Sequence, residues 1–508
     1  MSRAGPNSVD KEDHVAGEQT AAASAAPLVR RLLLLLGAQG VDYCHWKSNN
    51  ALDRSARGDN DLDLLIARDH ADRFASALSE SGFKEAHFGV KQRIPGILDY
   101  YGFDQDVDKI IHVHAHYQLI LGHDYSKNYH LAIEDPFLAS ARTEGLFRVP
   151  SREFEYVVLV IRMMLKHGTW EAPIVGRRGL DSSELSELDY LESRIDKGAT
   201  REILAKHLPS LSPELFRQCV RVLHAQAFDS YGLRIGQRFL ESMKRYERRP
   251  RWIDVSLKTW RRLFFPIRWR VLKQEDKRKP AAGGAIIAIV GGDGSGKTTA
   301  VEGLCRWLSR PFDTRRIHMG KPRFSLTTVA VLGTRKMGRL LHVAPKGHTP
   351  PRAGSSDEGP GGPAAVPDLV AHVLTTRDRY LTYRRARRFA DAGGLVVADR
   401  FPLPQISLMD GGAGVSPSGA GNRLDRWMAG KVNEYYARIR PPEVLIVLRV
   451  DPEVAVRRKT EESEESVRAR STEIWQLDWS GTGAHVVDAS RSKEDVLLAV
   501  KREAWAAF

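Results

Sequence analysis

The chain has 508 residues, too many for one ordinary core of roughly 100 to 200 residues, so two or three folded units are expected. Apolar residues make up 42% and charged residues 28%, close to the globular average, which excludes a wholly disordered chain. The net charge of +14 favours phosphate-bearing partners without choosing among nucleotides, nucleic acid and anionic membrane; Lys and Arg are spread along the chain and no compact nucleic-acid module occurs, so a merely solvated basic surface is the plainer account.

Cys44, Cys219 and Cys305 are widely spaced, which suggests neither a disulfide framework nor a zinc site and fits a reducing, cytoplasmic location. The apolar run Leu32 to Leu36 is far shorter than the roughly 20 residues of a membrane span, so neither a signal peptide nor a transmembrane helix is expected. Residues 1–26 are rich in Ala, Ser, Gly and charge without apolar periodicity, the composition of a disordered tail.

Residues 27–150 alternate helical and strand patterns, with strands expected at Leu62 to Ile66 and Ile110 to Tyr117, as in a small α/β or α+β domain. Asp61 and Asp63 fall on one face of an extended strand, and two adjacent carboxylates repel unless a cation lies between them, so a divalent metal site is expected there. With Trp46-Lys47-Ser48-Asn49-Asn50 before it, the run Gly58-Asp59-Asn60-Asp61-Leu62-Asp63 resembles the nucleotidyltransferase fold, in particular the uncharacterised nucleotidyltransferase-like domains that accompany sugar and polysaccharide genes. That resemblance implies Mg²⁺ and a nucleoside triphosphate at Asp61 and Asp63, with a third carboxylate on a later strand. The comparable strand reads Ile111-His112-Val113-His114-Ala115-His116-Tyr117, with histidine in place of the acid. By alternation His112, His114 and His116 share a face and could ligate a transition metal. The other account is a plain histidine face, since side chains at i and i+2 on a flat strand diverge.

From 151 to 280 the spacing of Tyr156, Val157, Val160, Ile161 and Met164 predicts helices, read as a connector. Its end, 244–280, is basic and aromatic, with Trp252, Trp260, Phe264, Phe265 and Trp269. This stretch suits either an anionic membrane surface or a helix packing its aromatics between domains, and Pro266 is expected to interrupt its amphipathic pattern.

From 281 to 508, apolar runs at Ala285 to Val290, Leu395 to Ala398 and Val444 to Val450 separated by helical segments predict an α/β fold with a buried parallel sheet. The Pro-, Gly- and Ser-rich stretch Val343 to Pro367 reads as a loop over the site. Gly291-Gly292-Asp293-Gly294-Ser295-Gly296-Lys297-Thr298 matches G-x-x-x-x-G-K-[ST] directly after a strand and before a helix, the setting in which backbone N–H groups cradle phosphates. Gly291, Asp293, Gly294, Ser295, Gly296, Lys297, Thr298 and Thr299 are the expected ATP-binding residues, Lys297 reaching the β and γ phosphates and Thr298 ligating Mg²⁺. Asp399 ends the strand Leu395 to Ala398 where it can approach the magnesium, and Arg400 the transferring phosphate; the alternative is a salt-bridged strand end.

The series Asp293 to Thr299, Asp378-Arg379, Asp399-Arg400-Phe401 and Val487-Asp488-Ala489-Ser490 resembles, in order, the thymidylate kinase family over the last 220 or so residues. The resemblance implies a P-loop nucleoside monophosphate kinase fold using ATP and Mg²⁺. It also implies an arginine-bearing lid at Arg457 to Arg470, with Arg458 catalytic beside Lys297, Asp399 and Arg400; an exposed charged helix is the alternative reading of the lid. Arg379 and Lys321 would hold a nucleotide or other phosphate-bearing acceptor. Gly320-Lys321-Pro322 stands where the family carries Arg-Glu-Pro, and Lys lacks the bidentate fork of Arg, so the acceptor need not be thymidylate. A P-loop ATPase or switch, with the N-terminal domain carrying the function, stays open as the alternative.

Overall fold

The computed structural model describes residues 25–88, 94–123, 126–168, 179–226, 229–271, 277–320, 322–332, 366–406, 423–459 and 462–508, with backbone alone at 265–271 and 366–368. The chain divides into two compact units, Met1–Asp276 and Lys277–Phe508. Lys321 and residues 343–365 of the expected loop lie outside the described residues.

In the first unit, α1 (Pro27–Ala38) starts on a proline whose missing N–H costs nothing at a helix N-terminus, and it buries Val29, Leu32, Leu33 and Leu36. Ala26 is buried too, so the fold begins within the segment read as a tail. Strands β1 (Tyr43–His45), β2 (Leu62–Ile66), β3 (Lys84–His87), β4 (Ile97–Asp104) and β5 (Lys109–His116) form a mixed sheet in the order β1-β2-β5-β4-β3. Only β2 and β5 run parallel, and their register sets Asp63 opposite His114.

One face of this sheet packs on α1 and α2 (Ala71–Glu80) through Val29, Leu32, Leu62, Phe74 and Val113. A second core joins Trp46, Leu65 and Leu119 to α3 (Arg152–His167), α4 (Ser182–Glu192), α5 (Lys197–His207), α6 (Pro213–Ala225) and α7 (Ser230–Ser242). The helices expected as a connector therefore share a core with the strand domain, because the apolar stripe of α3 needs a partner surface and the back of the sheet supplies one. The next helix, α8 (Arg251–Val271), runs through Pro266 rather than stopping there, and Trp252 and Leu263 are exposed on it. A proline inside a helix removes one hydrogen bond and can bend the axis without ending it.

The second unit is an α/β fold. Strands β6 (Ala285–Gly291), β7 (Thr314–His318), β8 (Leu395–Asp399), β9 (Val444–Arg449) and β10 (Ala484–Asp488) form a sheet in the order β7-β8-β6-β9-β10, parallel throughout. Every residue of β6 and β8 is buried, which explains why these strands read as unbroken apolar runs. Helix α9 (Lys297–Leu308) packs against α14 (Lys493–Ala507), with Trp307 edge-on to Trp505 at 5.7 Å. The chain enters at the centre, moves to one edge and back, then crosses to the other side. Connections therefore leave β6 and its neighbours in opposite directions, opening a crevice at their C-terminal ends. Among the described residues no helix is long and apolar enough to cross a membrane.

Candidate functional site

The loop from Gly291 to Gly296 turns out of β6 into α9 at that crevice. Gly294 has φ +75° and Gly296 φ +80°, and a Cβ on Gly294 would lie 2.7 Å from the carbonyl oxygen of Ala455. A side chain at Gly294 is thus refused twice, by its dihedral and by the backbone behind it. Ser295 Oγ and Lys297 Nζ both donate to the carbonyl oxygen of Gly292, at 2.7 and 2.6 Å, which folds the lysine back over the loop. Thr298 and Thr299 are exposed on the first turn of α9, where N–H groups lacking helical partners favour an anion.

Four cations converge on Asp293, which is 2% exposed. Lys297 lies 3.8 Å away, Lys459 3.6 Å and Arg400 3.9 Å, and Arg470 donates to its Oδ2. Burial alone would raise the Asp293 pKa, but Lys297, Arg470 and Lys459 outweigh it and hold the carboxyl below its ordinary range. Lys297 is pushed down to about 8, first by burial and also by Arg400 and Lys459, against the pull of Asp293 and Asp399.

Asp399 ends β8 beside this group and is 3% exposed. Its Oδ2 lies 3.7 Å from His318 Nε2 and 4.0 Å from Arg316, while its Oδ1 is buried with no hydrogen-bond partner among the described residues. An unpaired buried carboxylate oxygen is costly, and a cation is the natural group to satisfy it. Arg400 follows at φ +54°, a left-handed conformation uncommon outside glycine that turns its side chain toward Asp293.

The other expected residues separate. Arg458, at the end of α12 (Pro452–Arg458), donates to the carbonyl oxygens of Ala489 at 2.7 Å, Ser490 at 3.1 Å and Arg491 at 3.3 Å, so it clasps the turn after β10 rather than the cradle. Of the lid arginines and lysines, Lys459 and Arg470, the latter on α13 (Glu464–Gln476), are the two that reach Asp293, both also paired with Glu462. Arg379, on α10 (Val366–Asp391), donates to the Met319 carbonyl oxygen at 2.9 Å and to the hydroxyl of Tyr436 on α11 (Arg423–Ala437). Its neighbour Asp378 accepts from Ser325 N at 2.8 Å and Thr328 Oγ1 at 2.6 Å. Arg316 and His318 carried no motif signal, because their approach to Asp399 follows from the parallel register of β7 and β8.

In the first unit, Asp61, just before β2, and Asp63 on it lie toward the histidines of β5, but they do not face each other across an open cation position. Asp61 lies 2.9 Å from His112 Nδ1, whose Nε2 lies 2.7 Å from Asp99. Asp63 Oδ1 accepts from Lys47 Nζ at 2.8 Å and lies 3.2 Å from His114 Nδ1. Burial opposes both charges, yet Asp61 and Asp99 raise the His112 pKa, and Lys47 with His114 and His116 holds Asp63 far below the carboxylate range. His116 is pushed well below its usual value, first by burial, then by His114 and Lys47. The histidines do not diverge: His116 Nε2 lies 3.2 Å from His114 Nδ1, because strand twist and the packing of Trp46 on His116, centroids 5.0 Å apart, tip the rings together.

The turn carrying Lys47 is held from beneath by acids of the helical layer. Ser48, at φ +57°, donates its N–H to Glu187 at 3.0 Å, and Asn49 donates its N–H to Glu155 at 3.1 Å. Nothing in the sequence marks these two glutamates, which come from α3 and α4, more than 100 residues from the turn they hold.

No family model matches the chain. Two curated relatives share sequence with part of it. The "Uncharacterized ATP-binding protein YghR" of Escherichia coli (strain K12) is 26% identical over 219 residues, covering 42% of this chain and 83% of the relative. The "Uncharacterized ATP-binding protein YghS" of the same strain is 26% identical over 244 residues, covering 44% of this chain and 93% of the relative.

Proposed function

We propose that the second unit is an ATP-binding, Mg²⁺-dependent phosphotransferase of the nucleoside monophosphate kinase type, acting on a nucleotide or another phosphate-bearing small molecule. The observation that carries the reading is the pairing of a P-loop cradle with the buried Oδ1 of Asp399 at the next strand end, which has no hydrogen-bond partner among the described residues. Asp399 and the exposed Thr298 hydroxyl are the residues that would hold Mg²⁺, which when bound supplies charge neutralisation across the phosphate oxygens. The ATP-binding names of both relatives support the donor.

On this reading the loop N–H groups and the start of α9 hold the donor's phosphates, and Lys297 exchanges the Gly292 carbonyl for a phosphate oxygen. Lys459 and Arg470, now neutralised by Asp293 and Glu462, turn to the transferring group, and Arg400 stands beside them. Arg458 fixes the turn at 489–491 instead of touching the phosphates. Arg379 acts from α10 by positioning Met319 and Tyr436.

The test is ADP and product formation from ATP with a panel of nucleoside monophosphates, dTMP included. An acceptor-dependent diphosphate product that falls about 10²-fold or more in Asp399→Asn supports the reading. ATP hydrolysis indifferent to every acceptor would sink it in favour of a switch ATPase. Gly294→Val should weaken ATP binding about 10- to 100-fold in a fluorescence titration, since strain of about 1–3 kcal/mol enters the loop that must close on the phosphates.

A further inference from the structure

We propose a second metal centre, in the first unit, formed by Asp63, His114 and His116 and selective for a divalent first-row transition ion over Mg²⁺. Asp63 of β2 and His114 of β5 are register partners on parallel strands, and His116 lies one pleat further along the same face. Their ligand atoms lie within 4.8 Å of one another: 3.2 Å from Asp63 Oδ1 to His114 Nδ1, 3.2 Å from His114 Nδ1 to His116 Nε2 and 3.9 Å from His116 Nε2 to Asp63 Oδ1. An ion bonded to each at about 2.1 Å spaces its donors by roughly 3.0 Å in octahedral and 3.4 Å in tetrahedral geometry, so small side-chain shifts complete the triangle.

The donor set decides the class of ion. Two imidazoles and one carboxylate on one face suit Zn²⁺, Fe²⁺ or Co²⁺, whereas Mg²⁺ prefers oxygen donors throughout. The two carboxylates of the Asp61/Asp63 strand do not make the site together, because Asp61 is engaged by His112 and His112 in turn by Asp99. His116 is 3% exposed, and its Nδ1 has no hydrogen-bond partner among the described residues, so Nε2 is the polar outlet of a buried ring and it is turned into the triangle. His114 is a quarter exposed and leaves the triangle open on one side for further oxygen ligands.

Lys47 is the resident cation, its Nζ 2.8 Å from the same Asp63 oxygen. An entering metal takes over the electrostatic role that Lys47 plays at Asp63. Metal uptake is therefore opposed by Lys47.

The experiment is titration of the EDTA-stripped full chain with Zn²⁺ and Co²⁺, following stoichiometry by metal analysis after dialysis and Co²⁺ by its visible absorption. One Zn²⁺ per chain, undisturbed by millimolar Mg²⁺ and retained in Lys297→Met, is expected. His114→Gln should weaken uptake about 100-fold and abolish the Co²⁺ bands, while Lys47→Met should tighten it. His114→Gln changes a partly exposed side chain, and circular dichroism verifies its fold. Full-affinity uptake in His114→Gln, displacement of Zn²⁺ by Mg²⁺, loss of uptake in Lys47→Met, or no uptake by the intact chain would each overturn the proposal.

Discussion

Lys297→Met should lower kcat/KM for acceptor-dependent ATP consumption by about 10²- to 10³-fold while leaving thermal stability intact or raised. The rate argument is electrostatic. The ammonium lies in a nearly sealed site where a charge aimed at the transferring phosphates is worth much more than in water, and removing one such group costs about 3–4 kcal/mol in comparable sites. The stability argument runs the other way. Burial pushes Lys297 down to about 8 from an ordinary 10.5, so at pH 7 the protonated side chain costs the folded chain about 3 kcal/mol relative to water. Methionine has nearly the same shape and no such cost, and Asp293 keeps Lys459, Arg400 and Arg470 as partners. The measurement is a steady-state assay beside a melting curve. Full activity in the variant would remove Lys297 from the chemistry, and a lower melting temperature would show that the loop needs the Lys297–Gly292 bond more than it is burdened by the buried charge.

The fold of the second unit was legible because its strands and its glycine loop carry a few strong signals. Residues 285–290, 395–398 and 444–450 are apolar without alternation, which is how strands buried on both faces must read, and the glycine spacing at 291–296 is dictated by two left-handed dihedrals. Asp399 followed from its place at a strand end. Sequence did not disclose which lid cation reaches the cradle. Arg457, Arg458, Lys459, Arg468 and Arg470 are equivalent as letters, and only the folded positions of Lys459 and of Arg470 on α13 bring those two to Asp293. The first unit was harder to read. The alternation of β2 and β5 placed aspartates and histidines on one face, but that the rings meet depends on sheet twist and on the packing of Trp46, which no local pattern shows. The attachment of the helical layer rests on contacts such as Asn49 to Glu155, 106 residues apart, which leave no local pattern.

That contact predicts a pH dependence. Glu155 is pushed up to about 7, first by burial, with the neighbouring Glu187 adding to the rise and the Asn49 N–H and Arg162 opposing it. An unfolded glutamate titrates near 4.5, so between pH 4.5 and about 7 the folded chain holds a proton that the unfolded chain has lost. The stability tied to that proton is fully present below about 4.5 and is lost as pH rises through about 7, a change of about 3 kcal/mol from this group. Glu155→Gln keeps an oxygen to accept the Asn49 N–H and carries no charge to desolvate. It should therefore flatten the profile and exceed the original chain in stability at pH 8 by an amount of that order. Hydrogen exchange in α3, followed from pH 5 to 8 in both proteins and corrected for the intrinsic rate, isolates the first unit from the second. Parallel profiles would mean that Glu155 ionises in the fold at no cost. Divergence above pH 6 would tie protonation of this one carboxyl to the turn that holds Lys47 against Asp63, so that pH sets the firmness of the metal face from the helical layer behind it.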